Sequence, residues 1–198
     1  MCSPSTPTST SRTTCWPKSV RDSRLVEQGL VTLGIDPGTA ILGFGVIRGD
    51  TDPQLIDVGV IETDSKAPMP DRLVILHAET ARLIERYTPD VMAIEQLFFA
   101  RNVTTAIAVG QARGVVLLAA AQAGVPVAEY SPSEVKFAVV GYGKADKRQM
   151  QEMVKLILNL PEIPHPDDAA DALAIALCHA QSAPFQARVA QRGEDPWT

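Results

Sequence analysis

Three apolar runs follow one another before any helical period begins, and this order restricts the possible folds more than any other feature of the chain. Val31 to Ile35 (VTLGI) stops at Asp36-Pro37-Gly38, a turn signature. GFGVIRGD (43 to 50) and QLIDVGVIET (54 to 63) come next, separated by the turn signal Gly49-Asp50-Thr51-Asp52-Pro53. Runs this close leave no room for a helical crossover, so they form an antiparallel meander. The period then changes. Leu73, Leu76, Thr80, Leu83, Ile84 and Tyr87 recur every three or four residues and mark an amphipathic helix beginning near Pro70-Asp71.

VMAIE (91 to 95) is a fourth strand-like run, and Asn102 to Ala123 reads as a long helix capped by Asn102 and stopped by Gly124. VPVAEY (125 to 130) is a fifth strand. Ser131-Pro132 opens a short helix with Ser as cap and Pro at its first position. Asp146 caps KRQMQEMVKLILNL, whose Met150, Val154, Leu156, Ile157 and Leu160 supply an apolar face, and HPDDAADALAIALCHA (165 to 180) begins the last helix. The order predicts an α/β protein with a mixed five-stranded sheet, antiparallel in its first three strands and flanked by helices. It is the order of the ribonuclease H-like fold. Order alone does not fix function.

The acids restrict function further. Asp36 and Glu95 each follow a run whose composition predicts burial, and their side chains emerge at a sheet end, where open sheets place their ligands. Either acid alone has an ordinary reading, as an Asx turn or a solvated loop residue. In the last helix Asp167, Asp168 and Asp171 crowd a start otherwise made of Ala, Leu and Ile, although one cap suffices. Asp168 and Asp171, three apart, share a helical face, and Asp167 is left as the cap or a solvated neighbour. If this helix crosses the sheet near the strand ends, Asp36, Glu95, Asp168 and Asp171 form a self-repelling cluster with raised pKa values. The sequence offers it no obvious Lys or Arg partner. Divalent cations are then the natural neutraliser, and oxygen-only ligands select Mg²⁺ or Mn²⁺. Two such ions about 3.5–4 Å apart suit in-line phosphodiester cleavage. None of the three histidines is obviously placed as a general base: His165 and His179 flank the last helix, and His77 lies within the amphipathic one.

Net charge of −5 argues against a protein that coats nucleic acid by bulk electrostatics. The distribution is uneven: residues 50 to 95 hold ten acids against four bases. Residues 101 to 155 hold seven bases, Arg101, Arg113, Lys136, Lys144, Lys147, Arg148 and Lys155, against four acids. One part of the surface is thus suited to phosphates. Beyond Glu95, Phe98 and Phe99 stand before Arg101, and an aromatic there either packs in the core or stacks on an unpaired base. Cys2, Cys15 and Cys178 form no C-x-x-C pair, which fits a reducing interior rather than a structural zinc site. No run approaches the roughly 18 apolar residues of a membrane span. Residues 1–30, rich in Ser, Thr and Pro, are expected to be a disordered tail or a transit-like leader, residues 31–182 one nuclease domain, and residues 183–198 a flexible tail.

LGIDPGTAILGFGVI, AIEQLFFARN, VGQARGV, EYSPSEVKFAVVGYGKADKRQM and DDAADALAIALCHA together resemble the successive signature blocks of the RuvC type of Holliday junction resolvase, in order, from residue 31 to about 181. The resemblance implies a homodimeric, Mg²⁺-dependent, cytoplasmic crossover junction endonuclease with two ions per active site and Mn²⁺ as a possible substitute. Such an enzyme nicks opposing strands of a four-way DNA junction, leaving 5′-phosphate and 3′-hydroxyl ends, and works with the branch-migration proteins RuvA and RuvB. Carried onto this chain, the metal-binding and catalytic carboxylates are Asp36, Glu95, Asp168 and Asp171. Phe98 is the base-stacking aromatic, and Lys136 and Lys147 contact DNA near the cut. Arg101, Lys144 and Arg148 complete the expected DNA face. The long helix from Asn102, with its Gly-Gln-Ala-Arg-Gly segment, is a candidate dimer interface. GIDPGT followed by Gly43-Phe44-Gly45 also resembles the phosphate loop of actin-like ATPases, but this chain has no room for their second lobe. A non-catalytic junction-binding protein is the other alternative, and it would tolerate loss of the four acids.

Overall fold

The computed structural model describes residues 29–96 and 103–192. Its elements are β1 (Val31–Asp36), β2 (Ile41–Arg48), β3 (Gln54–Glu62), α1 (Met69–Tyr87), β4 (Val91–Glu95), α2 (Val103–Gln122), β5 (Val127–Tyr130), α3 (Pro132–Val140), α4 (Lys147–Ile157) and α5 (Asp167–Arg192). They build one five-stranded sheet in the order β3-β2-β1-β4-β5. β1 pairs antiparallel with β2, and β2 with β3, whereas β4 runs parallel to β1 and β5 parallel to β4. The expected meander and crossovers are both present.

Strand alternation divides the core between the two faces of the sheet. Leu33, Ile35, Leu42, Phe44, Met92 and Ile94 point toward α1 and α2, packing with Leu76, Leu83, Ala112 and Val116. The opposite face meets α5, backed by α3 and α4, through residues such as Ala93, Leu173, Ala176 and Leu177. By the same alternation Asp36 and Glu95 belong to the α5 face, since Ile35 and Ile94 lie on the other.

On that face a row of small residues crosses four strands. Gly45 pairs with Gly34, Gly34 with Ala93, and Ala93 with Ala128. The row is a trough in which α5 lies nearly backbone to backbone with the sheet. A Cβ built on Gly34 would stand 2.2 Å from the Ala172 carbonyl oxygen, and one on Gly43 would stand 1.9 Å from that of Asp168. Ala169, Ala172 and Ala176, all buried, lie on the face of the helix that meets the trough. The strand glycines therefore set how closely α5 approaches.

Local details follow the sequence reading with exceptions. Ser131 and Asp146 each complete a capping box, with Glu134 and Gln149. Of the apolar face expected on α4, Met150 and Val154 are buried, but Leu156 is 72% exposed, because the helix ends at Ile157 and its buried side is only one stripe wide. Leu160 is buried from the turn beyond that helix. α5 continues to Arg192, into the stretch expected to be a flexible tail.

Candidate active site

Asp36, Glu95 and Asp171 line one cavity of about 270 Å³, together with Lys136, Lys147 and Ile175. β1 ends on Asp36 and β4 on Glu95, one residue beyond the paired Ile35 and Ile94, so the two carboxylates leave adjacent strand ends on the same face. α5 brings Asp171 over them from above. Asp168, half-buried and one turn earlier on α5, is not among the residues that line the cavity. Its charge still acts on Asp36.

The electrostatics are those of a cluster of like charges. Burial pushes the Asp36 carboxyl up to about 7, and the neighbouring charges of Asp171, Glu95 and Asp168 push it the same way, against Lys147. Glu95 is also raised, by burial and then by Asp171, with Lys136 opposing. Asp171 is raised by burial, and Lys147 opposes the shift. Three acids with raised pKa values in one cleft indicate a site whose two lysines do not offset the burial of its carboxylates.

This makes a checkable statement about stability without metal. Asp36 binds its proton more tightly folded than unfolded, so stability falls as pH rises from about 4, the unfolded carboxyl value, to the folded value of about 7. Above that pH the loss is complete. Chemical denaturation in the presence of a chelator is expected to show a decline of a few kcal/mol across this window, and Asp36→Asn is expected to flatten it. A pH-independent wild type would contradict the burial of charge at Asp36.

Contrary to the sequence reading, the acids do have a basic partner in the protein. Lys147 Nζ lies 3.1 Å from Asp167 and 3.4 Å from Asp171. It comes from the first turn of α4, where the Asp146–Gln149 capping box fixes its backbone. The pairing was not legible in the sequence because twenty residues and a reversal of direction separate Lys147 from Asp167. Of the two expectations for Asp167, cap or solvated neighbour, the second holds. It is an exposed residue of the first turn of α5 whose carboxylate accepts from Gln151 Nε2 and meets Lys147, and these contacts lower its pKa.

The other site candidates divide. Lys136 reaches the cavity from α3. Lys144 and Arg148 are exposed, and Arg148 pairs with Glu152. Arg113 is not part of a basic face: its side chain is largely buried and ion-paired with Glu129. Phe98 and Arg101 lie outside the described residues. Of the histidines, His179 is buried and hydrogen-bonded through Nδ1 to the Tyr130 hydroxyl at 2.8 Å, His77 meets Gln122, and His165 is exposed beside Asp167. The sequence reading missed Tyr130, which occupies the strand end next to Glu95 and ties β5 to α5 two turns beyond Asp171. A buried Tyr at a sheet end, in line with a His on the last helix, was the available signal.

The donor chemistry fits a hard divalent cation: the ligating atoms on offer are carboxylate oxygens, and the acids of the cleft outnumber its lysines. Among the described residues, however, no three His, Cys, Asp or Glu side chains stand at the spacing of a ready-made ligand set. Asp171 leans instead toward Lys147.

A mixed sheet in this order, with acids closing its first and fourth strands and Asp171 of the final helix lining the same cavity, is the arrangement of a ribonuclease H-like protein. A family model described as crossover junction endodeoxyribonuclease RuvC matches residues 32–179. The chain is 59% identical over 149 residues to the crossover junction endodeoxyribonuclease RuvC of Thermomicrobium roseum, covering 75% of this chain and 91% of that protein. It is 60% identical over 153 residues to the protein of the same name from Chloroflexus aggregans, covering 77% and 93%. Thermus thermophilus RuvC in complex with a Holliday junction substrate superposes with a TM-score of 0.76 at 42% identity, covering 79% of this chain and 96% of that one. The chain belongs to the RuvC family of crossover junction endodeoxyribonucleases.

Proposed function

We propose that this protein resolves four-way DNA junctions by paired, metal-dependent nicking of opposing strands, with Asp36, Glu95, Asp168 and Asp171 holding the metal. The observation that carries the assignment of these residues is the convergence of Asp36, Glu95 and Asp171 on one cavity whose wall also carries Lys136 and Lys147. When bound, Mg²⁺, two ions per site with Mn²⁺ as substitute, supplies activation of the attacking water and stabilisation of the departing 3′ oxygen. The residues do the rest. The carboxylates fix the position of that charge relative to the strand ends, and burial beneath α5 limits competing water. Lys136 and Lys147 meet the phosphates flanking the cut. Arg101, Lys144 and Arg148 extend that contact along the backbone, and Phe98 stacks on an unpaired base at the crossover. The products carry 5′-phosphate and 3′-hydroxyl ends.

A homodimer places two such sites on one junction with matching two-fold symmetry. The outer face of α2 supports this, because Ile107 and Leu118 are 57% and 50% exposed and Gly114 between them has open space above it. The double substitution Ile107→Glu and Leu118→Glu is expected to convert the dimer to monomer in sedimentation experiments and to uncouple the two nicks. A variant that stays dimeric would place the interface elsewhere. RuvA and RuvB are the proposed partners and the cytoplasm the proposed location; among the described residues no helix is long and apolar enough to cross a membrane.

The test is nicking of a synthetic four-way junction against a linear duplex of the same sequence, with Mg²⁺ and then with a chelator. Paired nicks in the junction alone, abolished by chelation, are expected. Hydrolysis of ATP without nicking would restore the ATPase alternative, which the single five-stranded sheet of the described residues does not support.

A further inference from the structure

Lys147 has a feature that a simple phosphate contact does not explain. Its ammonium lies within ion-pair distance of Asp171, one of the proposed metal ligands, and of Asp167, which lies outside the cavity. Its backbone is fixed at the first turn of α4 by the Asp146–Gln149 capping box, and Tyr142 donates at 2.7 Å to Gln149 Oε1, the atom that also accepts from the Asp146 N–H, which holds the preceding loop to that turn. The side chain is 55% exposed, so its tip can move while its base stays fixed. Asp171, drawn toward this lysine, does not stand with the other acids as a three-carboxylate ligand set.

Resting on the metal-cluster reading above, we propose that Lys147 is the resident counter-ion of the free enzyme: steadied by Asp167, it competes with divalent metal for Asp171 and is released when a DNA phosphate takes its ammonium. One positive charge then neutralises Asp171 in either state, first from the side chain and afterwards from the metal. A phosphate that draws Lys147 away strengthens metal binding, and by linkage metal strengthens junction binding by the same factor. The complete site thus assembles on DNA rather than free in solution, which limits adventitious nicking.

The competition is measurable without any catalysis. Mn²⁺ is titrated into the full-length protein in the absence of DNA, with binding read by electron paramagnetic resonance of the free ion, for wild type, Lys147→Gln, Lys147→Arg and Asp36→Asn. Partly exposed ion pairs are modest, so removing this one is expected to tighten Mn²⁺ binding by about fivefold in Lys147→Gln. Lys147→Arg, which keeps the charge, is expected to bind as wild type does, separating the effect of charge from that of side-chain packing. Unchanged or weaker Mn²⁺ binding by Lys147→Gln, with binding lost in Asp36→Asn, overturns the counter-ion role and leaves the carboxylate metal site intact. Undiminished binding by Asp36→Asn overturns the metal-site reading and the competition together.

Discussion

Asp36→Asn is expected to reduce nicking of a four-way junction by about 10³-fold or more while leaving junction binding in place, because single members of a concerted catalytic cluster carry losses of this order. Asp36 is the most burdened member of the cluster. Burial and three neighbouring acids push its carboxyl up to about 7, so holding it ionised at pH 8 costs stability that a cation beside it would restore. An amide keeps the shape and removes both the charge and the burden. The variant is therefore expected to be more heat-stable than wild type at pH 8 in a chelator, although it is inactive. Gain of stability with loss of activity separates a functional carboxylate from a structural one, for which both would fall. The measurements are junction nicking by gel, junction binding by mobility shift and thermal unfolding with and without Mg²⁺. Nicking at near wild-type rate would remove Asp36 from the site.

Gly43→Ala is expected to be nearly as damaging without touching any acid. The added Cβ would lie 1.9 Å from the Asp168 carbonyl oxygen and 2.5 Å from its carbonyl carbon. Both are backbone atoms, so no rotamer change relieves the clash and the start of α5 must lift from the sheet. Overpacking of this kind costs about 1–3 kcal/mol. Because the lifted turn carries Asp168 and leads into Asp171, the separation of these acids from Asp36 must widen. The expected result is a lower unfolding midpoint together with a raised half-saturating Mg²⁺ concentration for nicking, and with junction binding retained. A variant that lost stability alone, with its Mg²⁺ dependence unchanged, would show that the depth of α5 does not set the site.

These two expectations also show what was legible in the chain. Asp36 and Glu95 are visible because a charged residue that closes a buried run is unusual in a single sequence, and the four acids could be named before any contact was known. The strand glycines were equally present in LGID and LGFG, but their meaning depends on pairing. Only the register brings Gly45, Gly34, Ala93 and Ala128 into one row, and only that row makes a trough. Leu156 belongs to the apolar period of α4 yet is exposed, because a helical period does not state how wide the covered stripe is.

Sequence by itself determined the order of elements, the caps at Ser131 and Asp146, the two strand-end acids and the acidic start of the final helix. All of these are local: they follow from turn chemistry, from the change of period from two to 3.6, and from the cost of burying an unpaired charge. Tertiary structure alone decided how far α5 sinks into the sheet, that Tyr130 meets His179, and that Lys147 reaches both Asp171 and Asp167. Each of these depends on distances between segments far apart in the chain. Such distances are set by the summed packing of both sheet faces, and no local pattern encodes that sum.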